Sequence, residues 1–153
     1  MAQLKVKDLM STSLVTVDAR DTVGSAQERM RQAGIHHLPV VRSGQLVGLI
    51  THHDLMHSCL QHIERMEGGE ECSFQRVVEV GEVMVTDVQT VSPDESAARA
   101  GCMLRELGIG CLPVTDAGRP VGMLTRADFL DVAIAALERD ATRTDRPATP
   151  PPV

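Results

Sequence analysis

The stretch Leu38-Pro-Val-Val41, followed two residues later by Gly44-Gln-Leu-Val-Gly48-Leu-Ile-Thr51-His-His-Asp54, decides how this chain is read. Seventy-four residues on it returns as Leu112-Pro-Val-Thr115 and Gly118-Arg-Pro-Val-Gly122-Met-Leu-Thr125-Arg-Ala-Asp128, without insertion or deletion. The same offset pairs Val6 with Val80, Met10 with Met84, Thr16-Val17 with Thr90-Val91, Ala26 with Ala100, and Gly34-Ile35 with Gly108-Ile109. Such a repeat, about fifty residues long, is too small to bury its own hydrophobic face, so the two copies are expected to pack together around one shared core.

Working outward, the two strands of each copy are expected at Leu38 to Val41 and Leu46 to Ile50, and at Leu112 to Thr115 and Val121 to Leu124, with tight turns at Ser43-Gly44 and Ala117-Gly118. Gly48 and Gly122 fall inside the second strand of each pair, where glycine fits a bulge, a close approach by another backbone or ligand, or a packing constraint common to both copies. Upstream, Val23, Ala26, Met30 and Ala33 recur at helical spacing and Gly34 supplies a left-handed stop. Ala97, Ala100, Leu104 and Leu107 repeat the stripe before Gly108, with Ser92-Pro-Asp-Glu95 read as the helix start. Downstream, one helix carries Leu55, Cys59, Ile63 and Met66 on a face, the other Leu130, Ala133, Ile134 and Leu137. Val6 to Met10 opens the chain with one-turn apolar spacing, and Leu14 to Val17 reads as a short extended piece. Phe74 and Val77-Val78 read as core residues after the loop Glu67-Gly-Gly-Glu-Glu71.

The chain of 153 residues suits one domain. It has no apolar run of membrane-spanning length and no signal-peptide core, so a cytoplasmic protein without membrane association is expected. Cys59, Cys72, Cys102 and Cys111 lack Cys-x-x-Cys spacing and read as reduced thiols. Of the net charge of −6, residues 64 to 82 hold six Glu against two Arg, so the acidity belongs to the connector. With two Phe, no Tyr and no Trp there is neither basic groove nor stacking platform, and no nucleic-acid partner is expected.

The pattern apolar-Pro-Val, Gly, apolar-Gly-apolar-apolar-Thr-x-x-Asp, present twice in register with helices on either side, resembles a tandem pair of CBS domains, named after cystathionine beta-synthase. The resemblance covers about residues 4 to 137. It implies an α+β fold: two strand-helix-strand-strand-helix repeats joined through their sheets with pseudo-two-fold symmetry. The boundaries expected are 4–66 for the first repeat, 67–79 for the acidic connector, 80–138 for the second repeat and 140–153 for a disordered, proline-rich tail. Such pairs have two clefts that often hold adenosine-containing ligands, are mostly regulatory, and often dimerise. The resemblance therefore implies a non-catalytic module, an adenosine-containing ligand of the AMP, ADP, ATP or S-adenosylmethionine type, a homodimer, and an unidentified regulated protein. No other cofactor is required.

The chemistry of Thr-x-x-Asp stands on its own. A carboxylate only accepts hydrogen bonds, so Asp54 or Asp128 suits both hydroxyls of a ribose cis-diol. Thr51 and Thr125, where a strand meets a helix, can turn their hydroxyls and the free N–H groups of the helix start toward a phosphate. The same four residues before an apolar helix are also a capping box. Carried over position by position, the resemblance gives one cleft Thr125 and Asp128 with Met10, Ser13, Val15, Ile35, His36, Gly110 and Met123. The other receives Thr51 and Asp54 with His36, Leu49, Met84, Gln89 and Ile109, and with Asp87, which would repel an anion. Nucleotide-binding members commonly place basic side chains just before the Leu-Pro-Val strand; here the first copy has His36-His37 but the second has Gly110-Cys111.

All six histidines, at 36, 37, 52, 53, 57 and 62, lie in the first copy. His53 and His57 are one helical turn apart, as two zinc ligands would be, which keeps a metal-binding alternative open. A further alternative is an interaction and dimerisation module whose clefts stay unoccupied. For dimerisation, Met30, Ala33, Met103 and Leu107 are the candidate helix residues, with burial in the core as the competing reading.

Overall fold

A computed structural model describes residues 3–65 and 75–144. The expectations placed on Met66, Cys72, Phe74 and residues 145–153 lie outside the described residues. The first repeat contains α1 (Val6–Leu9), β1 (Val17–Asp18), α2 (Val23–Ala33), β2 (His37–Arg42), β3 (Gln45–Thr51) and α3 (His52–Arg65). The second contains α4 (Val80–Val83), α5 (Ala97–Leu107), β4 (Cys111–Asp116), β5 (Arg119–Thr125) and α6 (Arg126–Thr144). α6 enters the segment expected to be tail, because Ala141 and Arg143 sustain a helix and the Thr142 hydroxyl donates to the Glu138 carbonyl (3.2 Å).

Local sequence explains the hairpins. Ser43 and Gly44 have φ of 52° and 77°, Ala117 and Gly118 φ of 50° and 77°. Positive φ at both central residues gives a two-residue turn whose twist matches that of the strands it joins. β2 pairs antiparallel with β3 and β4 with β5, and opposite Val40/Val41 and Val114/Thr115 the register shifts past one extra residue of the second strand, Val47 and Val121. β1 adds a parallel third strand to β2, while in the second repeat a single parallel bridge, Val91 to Val114, takes that place.

The helices end where expected, Gly34 and Gly108 both adopting φ of 64°. One start differs. α5 begins at Ala97, capped by Ser96, whose hydroxyl accepts from Arg99 N (3.4 Å), in parallel with Thr22 and Ser25 N (3.2 Å) on α2. Ser92-Pro-Asp-Glu95 is instead a turn, closed by Glu95 N donating to the Ser92 carbonyl (3.2 Å). It receives α1: Lys7 N donates to the Pro93 carbonyl and Val6 N to the Glu95 carbonyl, both at 2.9 Å.

That contact belongs to an exchange. The segment from Lys5 to Ser11 leaves its own repeat and packs on the second, putting Val6 into a core with Val91, Ala100, Leu104, Leu112, Val114 and Leu124. Reciprocally, Val80 enters the core of Val17, Val23, Ala26, Met30, Leu38, Val40 and Ile50. There Val80 N donates to the Asp21 carbonyl (2.8 Å) and Gly81 N to the Ala19 carbonyl (2.9 Å). The molecule thus has two cores, each completed by the other repeat, rather than the one shared core expected. The hairpins meet where Leu46 N donates to the Gly118 carbonyl at 2.9 Å.

Gly48 and Gly122 answer to this arrangement. A Cβ on Gly122 would lie 2.6 Å from Met10 Sδ and 2.9 Å from the Ser11 carbonyl; one on Gly48 would lie 2.5 Å from Met84 Sδ and 2.9 Å from the Val85 carbonyl. Close approach of the exchanged backbone explains both glycines. Among the apolar stripes, Val23, Ala26, Met30, Ala97, Ala100 and Leu104 are buried, whereas Ala33 and Leu107 are exposed. Val77, expected in the core, is exposed, and Val78 alone packs against it. Among the described residues no helix is long and apolar enough to cross a membrane.

The exchange makes a position-specific prediction. Val6→Ala should cost about 1–3 kcal/mol in denaturant unfolding, since a fully buried side chain loses two methyl groups. In amide exchange it should loosen Leu112 and Leu124 more than Leu38 and Ile50. Loss of protection confined to the first repeat would contradict the exchange.

Candidate ligand cleft

A cavity of about 470 Å³ opens between the repeats, lined by Ser13, Val15, Ile35 and His36 from the first and by Gly110, Met123, Thr125 and Asp128 from the second. Its walls follow from the fold. Ser11 and Met123 exchange backbone hydrogen bonds (2.9 and 3.0 Å), which lays the chain from Ser13 to Val15 beside β5. The left-handed stop at Gly34 turns the chain out of α2, and Ile35 N donates to the Met30 carbonyl (3.0 Å), delivering Ile35 and His36 to the same void. Eight of the nine residues expected for this cleft line it together. Met10 stands behind, against Gly122 and the second core.

At its edge Thr125 N and the Thr125 hydroxyl donate to Asp128 Oδ2 at 2.6 and 3.1 Å. In the first repeat Thr51 N (2.9 Å) and the Thr51 hydroxyl (2.7 Å) donate to Asp54 Oδ2, and Asp54 N donates to Thr51 Oγ1 (3.1 Å). Both motifs are therefore helix caps. The cap occupies Oδ2 alone, and Oδ1 of each aspartate carries no hydrogen bond within the described residues. Capping and ligand recognition can thus coexist on one carboxylate.

The second set is placed as follows. Leu49 exchanges hydrogen bonds with Val85 (both 2.9 Å), bringing Met84 over Gly48, where it packs against the first core. Ile109 packs on the second core; Asp87 and Gln89 are exposed. His36 stacks edge-on against His52, with centroids 5.8 Å apart and planes at 76°, and both face a second void of about 440 Å³. His53 and His57 stack at 6.2 Å, but among the described residues no group of three His, Cys, Asp or Glu is placed to hold a metal ion. Cys59, Cys102 and Cys111 are free thiols, and burial pushes Cys111 up to about 11, away from reactivity.

Arg126 and His37 are among the lining residues that the motif reading did not assign to this cleft. Arg126 occupies one of the blank positions in Thr-x-x-Asp and reaches the cavity wall. His37 was grouped only with His36 as a basic pair. Its ring lies beside Gly110, where an added Cβ would be 3.4 Å from Nε2. The missing side chain at Gly110 is the signal that room had been made.

The CBS domain family model matches residues 6–60 and 80–135. This chain belongs to that family, as a tandem pair. It is 34% identical over 135 residues to a CBS domain-containing protein of Dictyostelium discoideum, covering 87% of this chain and 93% of the relative. Among solved structures, a candidate acetoin utilization protein (AcuB) from Vibrio cholerae superposes with a TM-score of 0.80 at 28% identity, over 92% of this chain and 99% of that one. The CBS domain pair of protein MJ0100, in complex with 5′-methylthioadenosine and S-adenosyl-L-methionine, does so with a TM-score of 0.74 at 25% identity, over 88% and 99%.

His37 yields a pH prediction. Burial, and then the neighbouring His36, hold it below its ordinary 6.5, while Asp54 acts in the opposite sense. Below 6.5 the unfolded chain takes up this proton before the folded chain, so the stability owed to neutral His37 is complete above that value and falls as the solution is acidified. Denaturation midpoints followed from about pH 7.5 to about pH 5 should decline, and His37→Gln should flatten that decline. An unchanged slope in the variant would remove His37 as its source.

Proposed function

We propose that this chain is a non-catalytic regulatory module that binds an adenosine-containing ligand in the cleft at Thr125 and Asp128, and that in the cell it controls a partner protein. The observation that carries this reading is one cavity of nucleoside size, walled by both repeats, with a carboxylate whose Oδ1 is free. Ile35, Val15 and Met123 offer apolar surface to a base, and Asp128 offers an acceptor to a ribose diol. The adenosyl ligands held by the MJ0100 pair support the same chemistry here.

The reading is tested by calorimetry on protein freed of ligand by unfolding and refolding, titrated with AMP, ADP, ATP, S-adenosylmethionine and 5′-methylthioadenosine. At least one should give heat and a stoichiometric end point; silence from all of them at about millimolar concentration rejects it. Asp128→Asn, which keeps an acceptor for the cap, should weaken a ribonucleotide on the order of tenfold while barely affecting its 2′-deoxy analogue. Equal losses would leave Asp128 a cap only.

A homodimer is part of the proposal, supported by apolar side chains that stand exposed among the described residues. On α6 Leu130, Ile134 and Leu137 are 61%, 45% and 70% exposed; on α3 Met56, Leu60 and Ile63 are exposed as well. Met30 leaves the candidate list because it is core, and Met103 is half-buried; Ala33 and Leu107 stay on it. Apolar ridges of this kind commonly mark association surfaces. Sedimentation at about micromolar concentration should show a species near twice 16.5 kDa, and Leu130→Glu should halve it with helix content unchanged. A wild-type species of 16.5 kDa would reject the dimer.

A further inference from the structure

We infer that two copies of this chain join head to tail, α3 of each on α6 of the other, and that proton uptake by His53 and His57 tightens the contact. The inference rests on the homodimer proposed above and adds which helix meets which and what controls the meeting.

The outer faces of the two helices share one pattern. On α6, Ala127, Leu130, Ile134, Leu137 and Ala141 are all exposed and recur at spacings of three and four, the seam of paired helices. On α3, His53, Met56, Leu60 and Ile63 are exposed at the same spacing. The offset of the repeats sets Met56 on Leu130, Leu60 on Ile134 and Ile63 on Leu137. The flanks of these matched seams are of opposite kind. Asp131 and Glu138 directly follow Leu130 and Leu137, one heptad apart and therefore on one side of the α6 seam. His57 directly follows Met56, at the position that matches Asp131, and His53 holds the seam position that is Ala127 on α6.

All four groups are exposed, and none enters an ion pair among the described residues. His53 and His57 lie ring to ring, centroids 6.2 Å apart. The charged groups around them are already engaged. On α3 Asp54 accepts from Thr51, and on α2 Glu28 pairs with Arg31 and Arg29 with Asp21. On α4 Glu82 accepts from Glu79 N, and β3 has no charged residue. His52 stands edge-on to His36, and His62 lies on the half-buried side of α3.

A two-fold contact of α6 with its own copy would set Asp131 and Glu138 against the same acids, because such a contact presents one patch to itself. α3 on α6 sets imidazoles against carboxylates, which fixes the orientation and favours the protonated ring. The dimer then holds more protons than two separate chains, so association strengthens as pH falls through the ordinary imidazole value of about 6.5.

Sedimentation equilibrium on the full chain tests both parts. Leu60→Lys with Ile134→Glu puts opposite charges into each head-to-tail contact, and should dimerise on the order of tenfold more tightly than Leu60→Glu with Ile134→Glu. Equal or weaker association of the opposite pair overturns the head-to-tail arrangement, while a wild-type dimer leaves the homodimer reading standing. The wild-type dissociation constant should fall by roughly threefold to tenfold between about pH 7.5 and about pH 6. His53→Gln with His57→Gln, or Asp131→Asn with Glu138→Gln, should abolish that change with helix content unaltered. A wild-type constant that ignores pH, or a change that survives in either double variant, overturns the proton control. A wild-type species of 16.5 kDa across the whole range overturns the homodimer reading and this inference with it.

Discussion

Everything else in this molecule depends on two valines crossing between repeats. Val6 and Val80 are each fully buried, but in the core of the other copy, and the backbone on either side is tied there by hydrogen bonds to Glu95 and Pro93 or to Asp21 and Ala19. A hairpin backed by two helices leaves one gap in its apolar lining, and a one-turn helix fills it. Because each repeat fills the gap of the other, neither core is complete alone, and the association of the repeats becomes part of the folding of each. The cleft inherits its geometry from this. The chain that returns from α1 must pass beside β5 to reach β1, and in passing it presents Ser13 and Val15 to the cavity.

The same economy governs the motif at the cavity edge. A helix that starts directly from a strand has unpaired N–H groups and needs a cap. Asp128 provides it through Oδ2, and the contact that stabilises the helix start also fixes the carboxylate. An aspartate held by two hydrogen bonds is a better-placed acceptor than a mobile one, since little rotamer freedom remains to be lost on binding. Helix capping and the diol recognition proposed for Asp128 would then be successive uses of one constraint.

What could be read from the chain was local. Ser43-Gly44 specifies its turn by the φ values it permits, Gly34 and Gly108 stop their helices for the same reason, and the second Thr-x-x-Asp motif locates the cleft edge. Eight residues of one cleft followed from the repeat together with the family resemblance. The exchange was not legible, because the spacing of Val6 and Leu9 says that a face is buried but not against which partner. For the same reason Leu130, Ile134 and Leu137 read as a helix face, yet among the described residues they stay exposed. Ser92 misled because serine before proline is as good a turn as a cap, and the turn was required to receive α1. Arg126 was hidden in a blank of the motif, and its tie to the Ile109 carbonyl beside the cavity emerges only from the fold.

The two repeats share a chain path but differ in charge, and the differences are linked sterically. Gly110 stands where the first repeat has His36, and the space left by its missing side chain is taken by the ring of His37. Cys111 stands where the first repeat has His37; it is buried and, with its thiol pushed up to about 11, stays neutral. The second repeat thus contributes no basic pair before its strand, and Arg126 supplies a permanent cation from the other side of Gly110, tied to the carbonyls of Ile109 and Gly110. Where the first repeat has His52 edge-on to His36, the second has the Arg126 guanidinium. One framework thus carries different polar side chains at matching positions without any change in the path of the chain.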